Sequence, residues 1–115
     1  KQLPKEIIQA LHMATLPIDE ASRMWKLAPF LVQNLKNDGF KNFFPIQSLV
    51  IPDVISSEQH SQILQCRDVC VASPTGSGKT LAFCLPVLNS LANRVVQRLR
   101  ALIILPSRDL ASQVY

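Results

Sequence analysis

Apolar residues in this chain follow two rhythms: helical spacing through the first half, then strand-like runs alternating with helices. Over residues 5–13, Ile7, Ile8 and Leu11 recur at helical spacing, and Pro17 ends anything begun there. Residues 15–22 read as loop. A second helix is predicted from Ala28 to Asn37. Pro29 suits its first turn, Phe30, Leu31 and Leu35 share a face, and Gly39 can close it with a left-handed cap. A third begins after Phe44, with Pro45 in its first position and Ile46, Leu49 and Val50 inward, until Pro52 kinks or ends it. Residues 56–65 are polar and unpatterned, the mark of a surface excursion.

From residue 68 the period changes. Asp68-Val69-Cys70-Val71-Ala72 is apolar and β-branched without alternation, as in a strand buried on both faces. Residues 73–78 carry turn chemistry. Leu81, Ala82, Leu85, Leu88 and Leu91 then recur at threes and fours, a helix that tolerates Pro86 only with a kink. Residues 101–105 form a second apolar strand that Pro106 stops, and Ser107 can cap a helix carrying Leu110, Ala111 and Val114. Strand, loop, helix, strand and helix in this order predict a parallel α/β unit with a right-handed crossover.

Composition narrows the class. Of 115 residues 48% are hydrophobic and 17% charged, the reverse of a disordered chain. No apolar run approaches the ~18–20 residues of a membrane span, and residues 1–6 are too polar to begin a secretory signal. A soluble, non-secreted chain without membrane contact is expected. The net charge of +4 is unevenly placed. Residues 1–78 balance, whereas Lys79, Arg94, Arg98, Arg100 and Arg108 face Asp109 alone. That excess suits either a solvated helix end or a polyanion. Cys66, Cys70 and Cys84 lack a disulfide or zinc spacing, even with His60 nearby, and read as small buried hydrophobes.

The sharpest signal sits where strand meets helix, in Ser73-Pro74-Thr75-Gly76-Ser77-Gly78-Lys79-Thr80. A nucleoside triphosphate presents anionic oxygens that must be surrounded by donors. Glycines at two positions let consecutive backbone N–H groups point inward, and the helix N-terminus adds partial positive charge. Lys79 can reach the β- and γ-phosphates, and the Thr80 hydroxyl can ligate Mg²⁺. Residues 73–80 are therefore the candidate nucleotide site, with Lys79 and Thr80 carrying its chemistry. Ser73 stands where such loops usually have Gly or Ala, still a small residue.

Two flanking segments specify the machine. Gly39-Phe40-Lys41-Asn42-Phe43-Phe44-Pro45-Ile46-Gln47 lies upstream, and Pro106-Ser107-Arg108-Asp109-Leu110-Ala111-Ser112-Gln113 downstream. With the loop and the following Leu81-Ala82-Phe83-Cys84-Leu85-Pro86, they make residues 27–115 closely resemble the DEAD-box RNA helicases. The resemblance implies a RecA-like P-loop fold, a parallel sheet with flanking helices, incomplete in this chain. It implies a partial ATP-binding domain over 27–115, preceded by a loosely packed extension over 1–26. Residues 39–47 would be the Q motif, 73–80 the P-loop and 106–113 motif Ia. By this resemblance Gln47 reads adenine, since its amide offers one donor and one acceptor to N6 and N7. Phe40 lines the apolar surround. Pro106, Ser107 and Arg108 would touch the RNA backbone, a contact independent of base sequence. ATP and Mg²⁺ are the implied cofactors and RNA the implied partner.

The sequence also departs from the family pattern. The upstream aromatic falls on Ser22, with Trp25 the nearest substitute, and Phe43 and Phe44 replace Pro and Thr. Residues 54–65 look like an insertion. That stretch, Pro74, and Arg-Ala-Leu-Ile-Ile-Leu-Pro at 100–106 resemble the branch associated with large ribosomal subunit assembly. This implies a pre-ribosomal particle and a nuclear or nucleolar place, with the cytoplasm as the alternative.

Hydrolysis needs a further acid to hold Mg²⁺ and a group to orient water. Asp53, Asp68 and Asp109 lie before the loop, at the wrong strand end, and inside a helix start. The reading is a segment of an ATP-dependent RNA helicase, with a non-catalytic truncated nucleotide- or RNA-binding module as the alternative. A stand-alone P-loop kinase is disfavoured by both flanking motifs. These 115 residues alone are expected to turn over ATP negligibly. Mg²⁺-dependent phosphate release above background in a steady-state assay is the result that refutes this.

Overall fold

A computed structural model describes residues 15–60, 67–93 and 96–115. The helix expected over 5–13 lies outside them. Leu16–Pro17 (β1) pairs antiparallel with Asn42–Phe43 (β2), Leu16 opposite Phe43. Between these short strands run helices Ile18–Trp25 (α1) and Pro29–Asn37 (α2). Pro45–Gln59 (α3), Lys79–Leu91 (α4) and Arg108–Val114 (α5) follow.

The expected boundary at 26/27 is not a break in packing. Ile18, Ala21 and Trp25, spaced three and four apart, put one face of α1 into the same core as Leu27, Leu31 and Leu35. Trp25 packs on Phe43 with ring centroids 4.9 Å apart, a tilted pair worth about 1 kcal/mol beyond its buried area. The stretch expected as loop over 15–22 is therefore a strand and the start of a helix. Its α1 face had no visible partner in the local sequence, since the residues it covers lie on α2 and β2.

The third helix also differs from expectation. It runs through Pro52 to Gln59, and Ile51 and Ile55, four apart on one side, are buried beside Leu85 of α4. A proline inside a helix costs roughly 3 kcal/mol; burial of these two side chains offsets it. The inward face is Gln47, Ser48, Ile51 and Ile55, whereas Leu49 is exposed and Ile46 and Val50 only half-buried. In this orientation the Gln47 side chain reaches the Gly78 carbonyl and Ile51 and Ile55 enter the core. Residues 54–59 thus belong to a core helix, and 61–66 lie outside the described residues. Arg67 returns the chain to α3 through Asp53 (2.9 Å) and the Ser57 hydroxyl (3.2 Å). Both contacts are exposed, so they contribute little to stability.

The expected parallel sheet is not present among the described residues. The segments over 68–72 and 101–105 are uncovered, with Val69, Leu102, Ile103 and Ile104 exposed. A strand buried on both faces needs partners on its edges and layers above and below; none is in place among these residues. Cys70 is consequently exposed rather than buried. Cys84 is half-buried on α4, and burial pushes its thiol up, as suits an unreactive small hydrophobe. Cys66 lies outside the described residues. No described helix is long and apolar enough to cross a membrane.

One long-range bond ties the two halves together. Ala28, at the N-cap of α2, has no capping side chain of its own, and its N–H donates to Oδ1 of Asn89 on α4 (2.8 Å). Asn89→Ala is expected to lower stability by about 1 kcal/mol. A urea unfolding curve with an unshifted midpoint would contradict this role.

Candidate nucleotide site

Residues 73–78 form the loop that the turn chemistry predicts. Gly76 and Gly78 sit in the left-handed region, at φ 82° and 85°. The Ser73 hydroxyl donates to the Ser77 hydroxyl across the loop, so the serine in place of the usual glycine supplies a closing bond. The Ser77 N–H reaches the Pro74 carbonyl (3.4 Å). Lys79 begins α4, and its ammonium donates to the carbonyls of Ser73 and Pro74, the latter at 2.8 Å. Thr80 is exposed one residue further.

Gln47 joins this loop to α3. It is 2% exposed, and its side-chain oxygen accepts from the Phe44 N–H (2.8 Å) while its nitrogen donates to the Gly78 carbonyl (3.1 Å). Phe44 offers no side-chain acceptor, so only the returning half of a capping box is made. Each amide atom retains one further bonding position. Gly78 is doubly constrained: a Cβ there would lie 2.4 Å from Gln47 Nε2 and 2.9 Å from Phe44 Cδ2. Around Gly76 nothing lies within 4 Å.

Two cavities flank the loop. One, about 470 Å³, lies between residues 44–46 and the loop from Ala72 to Ser77, including Ser73, Pro74 and Gly76. The other, about 690 Å³, holds Thr75, Gly78, Lys79 and Thr80, and extends to Leu105 and Leu110. The structure therefore brings the 39–47 segment, through Gln47 and Phe44, and the edge of the 106–113 segment to one loop. Phe40 is not brought there: it is 42% exposed and lines neither cavity. Pro106, Ser107 and Arg108 are exposed. Ser107 caps α5 as expected, its hydroxyl accepting from the Leu110 N–H (3.3 Å). Among the described residues Arg108 makes no ion pair.

Trp25 and Ser22 do not face the loop as a base platform. Trp25 is in the core, and the Ser22 hydroxyl, almost covered, bonds back to the Ile18 carbonyl. Phe44 and Asn89 carry no site role in the sequence alone. A glutamine three residues after Phe44, with Pro45 between, was the available sign that Gln47 turns back on the helix start. Asn89 left no local sign.

Residues 44–115 match the DEAD/DEAH box helicase family. The chain belongs to that family. Among curated relatives of this DEAD/DEAH box chain, the zebrafish "ATP-dependent RNA helicase DDX51" is 40% identical over 96% of the chain and 17% of its own length. The mouse DDX51 is 45% identical over 75% of the chain and 14% of its own length. The Drosophila melanogaster "Probable ATP-dependent RNA helicase Dbp73D" is 42% identical over 87% and 15%. The chain thus spans about a sixth of the length of these relatives. No solved structure matches it significantly.

Both glycines of this DEAD/DEAH loop have positive φ, but only Gly78 lacks room. Gly76→Ala is expected to cost about 1 kcal/mol through backbone strain, and Gly78→Ala at least about 3 kcal/mol because the Gln47 contact is also lost. Equal unfolding midpoints for the two variants in urea would contradict the crowding at Gly78.

Proposed function

We propose that the chain carries the nucleotide and RNA contacts of an ATP-dependent RNA helicase. The observation that bears most weight is the Gln47 bridge, which places the upstream segment directly on the phosphate loop. Family membership and the names of the relatives support the same reading.

In this proposal the backbone of Ser73 to Gly78 and the Lys79 ammonium hold the triphosphate. The base lies toward residues 44–47, with Gln47 supplying adenine contacts through the remaining valences of its amide. Phe40 takes part only as apolar surround at greater distance. Mg²⁺, when bound, neutralises phosphate charge. Thr80, exposed beside Lys79 in the larger cavity, contributes a hydroxyl ligand. No group of three or more His, Cys, Asp or Glu side chains suited to a metal occurs among the described residues. The Thr80 hydroxyl fits a cation shared with phosphate oxygens, not a self-sufficient metal site.

Pro106, Ser107 and Arg108 are proposed to meet the RNA backbone. Arg108 is an exposed guanidinium without an ion-pair partner among the described residues. Phosphate contacts of this kind make binding salt-sensitive and indifferent to base sequence. A pre-ribosomal RNA–protein particle and a nucleolar place extend the proposal, on the strength of the branch resemblance alone.

The deciding experiment is equilibrium binding of ATP to the Lys79→Ala variant. A loss of most affinity with an unchanged circular dichroism spectrum is expected. Unaltered binding would sink the phosphate-loop assignment.

A further inference from the structure

Arg98 and Arg100 belong to the positive excess of the chain, and neither the phosphate loop nor the 106–108 segment uses them. Both line a cavity of about 570 Å³ at the last turn of α4, together with Leu91, Val96 and Leu99. Both are exposed, and among the described residues neither has an ion-pair partner. No described acidic residue lines the cavity. Leu99 is 86% exposed beside them and Val96 63%. This cavity is remote from the nucleotide site. Helix α4 leads from Lys79, in the larger cavity beside the loop, to Leu91, and its 13 residues set those ends about 18 Å apart. The segment over 101–105 likewise leads from this cavity at Ala101 to the loop-side cavity at Leu105.

We propose that this cavity takes a carboxylate-rich peptide segment of a partner protein, its acids paired with Arg98 and Arg100 and its apolar side chains set against Val96 and Leu99. Charge complementarity carries the choice of partner. Two guanidiniums two residues apart present planar forks of N–H donors, and a carboxylate can take both bonds of one fork. The end of α4 adds partial negative charge that attracts the arginines weakly and leaves those donors available. An RNA backbone would answer the charge equally well, but it brings no apolar side chains to cover Leu99 and Val96. Nor does an aromatic ring line the cavity on which a base could stack. A peptide of mixed acidic and apolar residues meets both halves of the surface at once. The proposal is independent of the nucleotide and RNA contacts assigned to residues 73–80 and 106–108.

Fluorescence anisotropy tests this with three labelled probes: a peptide of alternating glutamate and valine, a lysine–valine peptide of equal length, and single-stranded oligouridine. Each is titrated into the protein, its Arg98→Glu/Arg100→Glu variant and its Leu99→Ser variant. The wild type is expected to bind the glutamate–valine peptide about tenfold more tightly than the lysine–valine peptide. Charge reversal is expected to weaken the glutamate–valine complex about tenfold and Leu99→Ser about threefold, with oligouridine affinity held within about twofold in both. All three substituted side chains are exposed, so circular dichroism spectra and urea midpoints are expected to match the wild type. Equal binding of the two peptides by the wild type overturns the proposal, as does an unchanged glutamate–valine affinity in the charge-reversed variant. A tenfold loss of oligouridine affinity on charge reversal also overturns it, since the cavity would then be an RNA contact. An unchanged affinity in Leu99→Ser overturns the apolar half of the contact.

Discussion

The side-chain amide of Gln47 is the contact on which the local architecture depends. It joins a helix start to a glycine carbonyl 31 residues later, and it is almost wholly buried while doing so. Buried amides that lose a partner are costly, because the desolvated group left behind has no water to turn to. The bond therefore sets three things together. It fixes the rotation of α3, the absence of a side chain at residue 78, and the orientation in which Phe44 meets the loop. The exposed position of Leu49 and the buried position of Ile51 follow from the same rotation.

The phosphate loop was legible because its demands are local. Glycines where the turn needs positive φ and a lysine at the helix start can be read from eight neighbouring residues, whereas the Ser73–Ser77 bond that closes the loop is seen only in the structure. Ser107 as a helix cap is local in the same sense. Helix α1 was legible in part: Ile18, Ala21 and Trp25 lie opposite Asp19, Glu20 and Arg23, and Pro17, taken as a stop, is in fact the residue that precedes the helix. The passage of α3 through Pro52 was hidden. Propensity argues for a break there, and only the distant Leu85 shows what the continued helix gains by burying Ile51 and Ile55.

The strands read over 68–72 and 101–105 are not formed among the described residues, for a related reason. Apolar runs such as those over 69–72 and 101–105 signal burial, but a sheet is a property of several segments and not of one. Leu102, Ile103 and Ile104 keep the composition of a buried strand while being exposed. Within the site, the roles of Gln47 and Phe44 divided in a way composition could not foretell. The glutamine expected to meet a ligand is spent largely on the protein itself, and the phenylalanine three residues before it faces the cavity.

Asn89 and Gly78 together give α4 an uncommon mechanical character. Its first turn is fastened through the Gly78 carbonyl to α3, and its last turn through Asn89 to the start of α2. Sliding of the helix along its axis would break both hydrogen bonds. Between the two anchors Pro86 lacks one rung of the helical ladder. That interrupted rung adjoins Leu85, on the buried face that packs with Ile51 and Ile55.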